Sequence, residues 1–245
     1  MDVLTKLDPV FERNATCPGC GSVLGLKFIL QSLEDTKNVV IVTSPGEITE
    51  LVKSLKVPVV NSSDPASTAR GLAVAMPESR IIVYAGDGYT ANNMTSLLSV
   101  TENVLYICYN NSNQIERKEF VKAVSHLSSY SATANVAYYE DFVAKLRKVF
   151  SKSGFRFIDL LCPCPARWGF DKSNTIEVGR MATESCVWPL YEVDGIAAIT
   201  KIPPRQEPVT LYLEMLRIKL PEEKVRSLQE SVNKNWRALG ESKLV

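Results

Sequence analysis

Short apolar runs recur along the chain at Asn38–Thr43, Val57–Val60, Ile81–Ala85, Val104–Tyr109, Phe155–Leu161 and Trp188–Val193. They are rich in β-branched and aromatic residues and too short for independent helices, so each reads as a buried strand. Between them apolar residues fall at helical spacing over 23–33, Glu47–Leu55, Ala66–Met76, about Ala91 to Thr101, and Glu140–Ser151. Strand alternating with helix at this spacing predicts an α/β fold, a doubly wound, mostly parallel sheet with helices on both faces. After Pro208, two charged helical patterns separated by Leu220-Pro221 predict a helical C-terminal tail. The expected division is therefore an α/β domain over 1–205 and a solvated helical cap over 206–245.

The stretch Ile81 to Asn113 organises the rest. Its first strand ends in Gly86-Asp87-Gly88 and its second in Asn110-Asn111-Ser112-Asn113, with the crossover helix between. If the strands are parallel neighbours, their carboxyl ends lie side by side, where open α/β sheets place ligands, and Asp87 meets Asn111. A carboxylate and an amide carbonyl are hard oxygen ligands of the kind Mg²⁺ accepts. Gly86 and Gly88, lacking a Cβ, let the backbone approach a diphosphate closely. The sharper reading is a magnesium-diphosphate clamp; the plainer one is two unrelated turns.

Composition narrows the function classes. At 245 residues, 45% hydrophobic and 22% charged, the chain is ordinary for a globular protein. Its net charge of +1, with no cluster of Lys and Arg among aromatics, leaves no electrostatic footprint for nucleic acid. No apolar run approaches the roughly 20 residues of a membrane span, and MDVLTKLDPVFE lacks the apolar core of a signal peptide. The expectation is a cytoplasmic protein with no membrane. His126, the single histidine, leaves no multi-histidine metal site and reads as a solvated loop residue.

Cysteines fall at 17, 20, 108, 162, 164 and 186. Cys17-Pro18-Gly19-Cys20 ahead of a helix has three chemical readings: a redox dithiol, half of a zinc site, or half of an iron-sulfur site. Two incidental structural cysteines are the fourth. Cys108 and Cys186 read as buried and inert.

The motifs together carry a resemblance. G-D-G followed by N-N at a strand end resembles the thiamine diphosphate signature. CPGCG, GDG, NVLYICY-NN, ATANVAYYEDF, FIDLLCPCPARWGF and TIEVGRMATESCVWPLYEV, in this order from about residue 10 to 195, resemble the β subunit of a 2-oxoacid:ferredoxin oxidoreductase, closest to the pyruvate type. The resemblance implies the thiamine diphosphate-binding fold. It implies Mg²⁺ held by Asp87, Asn111 and the backbone carbonyl of Asn113, with Gly86 and Gly88 beside the cofactor, and a [4Fe-4S] cluster on Cys17, Cys20 and Cys164. It further implies CoA-dependent oxidative decarboxylation of a 2-oxoacid, pyruvate being the nearest. The partners are an α-type subunit, which brings the activating glutamate, and a ferredoxin or ferredoxin-like subunit that takes the electrons. The chain alone is then expected to be inactive.

Two departures stand out against that pattern. Where the family has its third cluster cysteine this chain has Ser44-Pro45-Gly46-Glu47, which makes Glu47 a possible fourth ligand. The outcomes left open are a cluster with Glu47, a three-iron cluster, no cluster, or zinc on Cys17, Cys20, Cys162 and Cys164. The loop after Asn111 also differs, reading SNQIERK, and the interval from GDG to NN is a few residues short. The alternatives to the oxidoreductase are a diverged structural or regulatory paralogue without redox turnover, and a non-oxidative thiamine-dependent decarboxylase subunit.

Overall fold

A computed structural model describes residues 16–33, 37–46, 48, 49, 52, 55, 57–116 and 118–241. Among them one sheet of eight strands forms: β1 (Val39–Thr43), β2 (Val59–Asn61), β3 (Arg80–Gly86), β4 (Val104–Asn110), β5 (Tyr130–Asn135), β6 (Arg156–Leu161), β7 (Leu190–Asp194) and β8 (Ile196–Lys201). Their order is β2-β1-β3-β4-β6-β5-β7-β8. The first six are parallel; β7 and β8 add an antiparallel edge. The helices are α1 (Gly21–Gln31), α2 (Pro65–Ala75), α3 (Asp87–Asn92), α4 (Met94–Leu97), α5 (Phe120–Val124), α6 (Tyr139–Ser151), α7 (Pro165–Trp168), α8 (Thr175–Glu184), α9 (Val209–Met215) and α10 (Glu222–Gly240).

Successive strand side chains point to opposite faces, and both faces are covered, which is why these strands read as unbroken apolar runs. Ile41, Ile82, Tyr84, Leu105, Ile107 and Ile158 pack with Leu26 and Ile29 of α1 and Phe142 and Leu146 of α6. Val42, Ile81, Val83 and Tyr106 pack on the other face with Ala66 and Ala69 of α2 and Phe120 and Val124 of α5. A third cluster gathers Trp168, Phe170, Trp188, Tyr212 and Val232. The doubly wound, mostly parallel sheet expected from the sequence is the observed architecture.

Three elements differ from expectation. The crossover helix begins at Asp87 rather than near Ala91 and breaks at Asn93. There the Asn93 side chain donates to the carbonyls of Tyr89 (3.0 Å) and Ser63 (2.8 Å), competing with the helical ladder. The Ser-rich stretch before Glu140 contains β5, wholly buried although half polar. Two of its polar side chains are satisfied by neighbours, Thr133 donating to the Pro189 carbonyl (2.7 Å) and Asn135 to that of Gly179 (2.7 Å), while the buried Ser131 hydroxyl finds no partner among the described residues. The edge strand β8 was also not foreseen. The expected helix over Glu47–Leu55 falls largely outside the described residues. His126 is exposed in the turn after α5, as expected. In the C-terminal tail, Val232 and Leu239 are buried while most of α10 faces solvent.

Candidate functional site

Strands β3 and β4 pair in parallel, with Ala85 opposite Cys108 and Gly86 opposite Tyr109, so their carboxyl ends finish level. The two polar turns expected to meet do meet, since the Ser112 hydroxyl donates to Asp87 Oδ2 at 2.9 Å. The loop after β4 is wound around Asn110. Its Oδ1 accepts from Gln114 Nε2 (2.6 Å) and Ser112 Oγ (3.0 Å), and its Nδ2 donates to Asp159 Oδ1 (3.2 Å). Gln114 turns the chain back with a φ of 63°, a conformation uncommon for a residue with a Cβ.

The flanking glycines differ in what their missing side chain allows. A Cβ at Gly86 would lie 3.2 Å from the Tyr109 ring, so this glycine makes room for an aromatic residue of its own fold. At Gly88, which is exposed, a Cβ would meet nothing within 4 Å.

Asp87, Asn111 and Asn113, the residues nominated for a metal, each accept a hydrogen bond from within the chain. Asp87, 5% exposed, also accepts from Lys118 Nζ at 2.9 Å on the same Oδ2. Asn111 Oδ1 accepts from Arg167 Nη1 at 2.7 Å, and its backbone carbonyl from Trp168 Nε1 at 2.7 Å. The Asn113 carbonyl accepts from the Tyr212 hydroxyl at 2.8 Å. Lys118, Arg167, Trp168 and Tyr212 were not picked out as site residues. Lys118 sits in the altered loop and Arg167 in the CPARW run, both already conspicuous, whereas nothing local marks Tyr212. Burial pushes the Tyr212 hydroxyl well above the usual tyrosine range, so it stays a donor. Tyr212→Phe is expected to lower stability by about 1 kcal/mol, measured by urea unfolding, because the Asn113 carbonyl loses its partner.

The cysteine segments form a second corner. The Gly21 amide donates to the Pro163 carbonyl at 3.1 Å, which seats the CPGC turn on the CPCP turn. Gly19 adopts φ +75°, where a Cβ would lie 2.3 Å from the Lys172 carbonyl oxygen. Cys17 is exposed, Cys20 and Cys164 are half-buried, and Cys162 is buried beneath them. Burial, with Cys20 nearby, pushes the Cys162 thiol well above its ordinary range. Among the described residues no three His, Cys, Asp or Glu side chains are drawn together as a metal cage. Glu47 lies outside the described residues.

No protein-family model matches the chain. It is similar to the pyruvate synthase subunit PorB of Methanothermobacter marburgensis, with 31% identity covering 89% of this chain and 92% of that protein. The chain belongs to the β subunits of the 2-oxoacid:ferredoxin oxidoreductases. The ketoisovalerate oxidoreductase subunit VorB of Pyrococcus abyssi is 27% identical over 97% of this β subunit and 96% of its own length. The fold also matches a solved 2-oxoglutarate:ferredoxin oxidoreductase from Magnetococcus marinus, with a TM-score of 0.57 and 16% identity over 88% of this chain and 91% of that one.

For this β subunit, Mg²⁺ is the first group to test against the residues present. It asks for about six oxygens at roughly 2.0–2.1 Å in near-octahedral array. Asp87, Asn111 and Asn113 carry suitable oxygens, but these accept from the chain's own donors, two of them cationic, and so do not fit a divalent ion in this arrangement. A diphosphate would find two cations there, Lys118 and Arg167. Among the described residues the cysteine corner does not by itself form a cluster cage.

Proposed function

We propose that this chain is the β-type subunit of a 2-oxoacid:ferredoxin oxidoreductase, acting on pyruvate or a related 2-oxoacid with coenzyme A. An α-type subunit completes the assembly, and a ferredoxin or ferredoxin-like subunit receives the electrons. The observation that carries the reading is the joint preservation of two corners. The Gly86-Asp87-Gly88 and Asn110–Asn113 turns lie together at the sheet's carboxyl end, and the CPGC and CPCP turns are joined through Gly21 and Pro163. Both occur in a chain aligned with a curated β subunit over 89% of its length.

In this reading thiamine diphosphate supplies the carbanion chemistry by which a 2-oxoacid loses CO₂. The chain's contribution is positioning. Lys118 and Arg167 bring positive charge to the end of β3 and β4, open space at Gly88 lets an anion approach the backbone, and Tyr212 and Trp168 hold the 111–113 backbone still. Cys17, Cys20 and Cys164 are the thiols assigned to an iron-sulfur cluster, with Glu47 as a possible fourth ligand.

A second reading is favoured by the uncaged cysteines and the internally neutralised Asp87: a subunit that keeps the fold and its partner interface without redox turnover. Metal and acid-labile sulfide analysis separates the two, on protein co-expressed with its α-type partner and purified without oxygen. The oxidoreductase reading expects iron and sulfide, about four of each per chain, with a visible absorption band. Zinc, or neither element, sinks it and leaves the non-redox subunit.

A further inference from the structure

The Lys118 ammonium lies 2.9 Å from the buried Asp87 carboxylate, and the Arg167 guanidinium lies 2.7 Å from Asn111 Oδ1, while the Asn113 carbonyl is taken by Tyr212 at 2.8 Å. Asp87 Oδ2, Asn111 Oδ1 and the Asn113 carbonyl thus each accept from within the chain. Asp87 and Asp159, the latter accepting from Asn110, stand with Lys118 and Arg167, so two carboxylates are balanced by two cations from within the chain. An ammonium on a buried carboxylate also competes for the lone pairs that a metal would use.

We propose that Lys118, supported by Arg167, takes the place of the divalent cation, so that this site receives a diphosphate without Mg²⁺. The inference rests on the reading that the carboxyl end of β3 and β4 receives a diphosphate. Lys118 reaches Asp87 from the loop whose sequence departs from the family, so the change in loop sequence and the change in cation coincide. The Lys118 side chain is 40% exposed, which leaves it able to follow an incoming anion while its end stays near Asp87.

The test uses the full chain with Mn²⁺ as the metal probe, and inorganic diphosphate and thiamine diphosphate as the anions. Lys118→Gln keeps a hydrogen-bond donor beside Asp87 and removes the charge. In wild type, electron paramagnetic resonance is expected to show no bound Mn²⁺, and the anions are expected to raise the melting temperature equally in Mg²⁺ and in EDTA. Lys118→Gln should gain Mn²⁺ binding that a further Asp87→Asn abolishes. Its affinity for the anions in EDTA should fall about tenfold or more, the loss of one charge-assisted hydrogen bond. Wild-type Mn²⁺ binding that Asp87→Asn removes, or anion binding that requires Mg²⁺ in wild type, overturns the proposal. If neither anion shifts the melting temperature under any condition, the diphosphate reading falls. The Mn²⁺ comparison then decides separately whether Lys118 occupies the cation's place, and no gain of Mn²⁺ in Lys118→Gln counts against it.

Discussion

Lys145→Ala is expected to destabilise the fold by about 3–5 kcal/mol, the usual consequence of removing one partner from a buried charge pair. Lys145 is 1% exposed, and its ammonium donates to the Thr133 carbonyl (2.8 Å), Asp141 Oδ2 (2.6 Å) and Thr200 Oγ1 (2.8 Å). One side chain thereby ties α6 to β5 and to β8, two strands separated by β7 in the sheet. Burial pushes the pKa of Lys145 down and the adjacent Asp141 opposes that shift, so the pair is held together by geometry that neither partner keeps alone. Urea unfolding should show a lower midpoint at an unchanged slope. Lys145→Met, which preserves the packing of the stem, should recover only part of the loss. A change below about 1 kcal/mol in Lys145→Ala would mean that water replaces the ammonium without penalty, as at an exposed pair.

Gly21→Val is expected to pull the two cysteine turns apart. A Cβ at Gly21 would lie 2.7 Å from the Pro163 carbonyl oxygen and 2.8 Å from the Cys162 carbonyl carbon, and these are backbone atoms that cannot swing aside. Overpacking of this kind costs about 1–3 kcal/mol. Loss of the Gly21 to Pro163 hydrogen bond adds about 1 kcal/mol. On the iron-sulfur reading the functional effect should exceed the effect on stability: iron retained by the co-expressed complex should fall sharply while the complex still assembles. Gly88→Ala is the contrast, because its Cβ meets nothing within 4 Å and the helix propensity of alanine is higher. Its melting temperature should stay at or slightly above that of wild type. Unchanged iron content in a folded Gly21→Val protein would show that the junction of the two turns does not matter to the metal.

The parallel core was legible because strands buried on both faces leave continuous runs of Val, Ile, Leu and Tyr, as in β1, β3, β4 and β6. Strand β5 escaped notice because Tyr130–Asn135 alternates small and polar residues whose partners, Pro189, Gly179 and Glu192, lie some 44 to 62 residues away. Lys145 escaped for a related reason. In a helix reading EDFVAKLRKVFS it belongs by type to the solvated stripe, and only the strands folded against that stripe bury it.

The candidate site divides along the same line. Local spacing placed Asp87 and Asn111 at the ends of two strands, because strand period and turn residues are properties of neighbouring residues, whereas Cys17, Cys20 and Cys164 were grouped only by the family resemblance. The donors that face those groups come from remote segments: Lys118 from 31 residues beyond Asp87, Arg167 from 56 beyond Asn111, and Tyr212 from 99 beyond Asn113. By itself the sequence determined the α/β class, the meeting of the Gly86–Gly88 and Asn110–Asn113 turns at the sheet's carboxyl end, and the family. Only the tertiary structure decided which charge neutralises Asp87, since Coulomb energy depends on separation in space, and separation along the chain does not predict it.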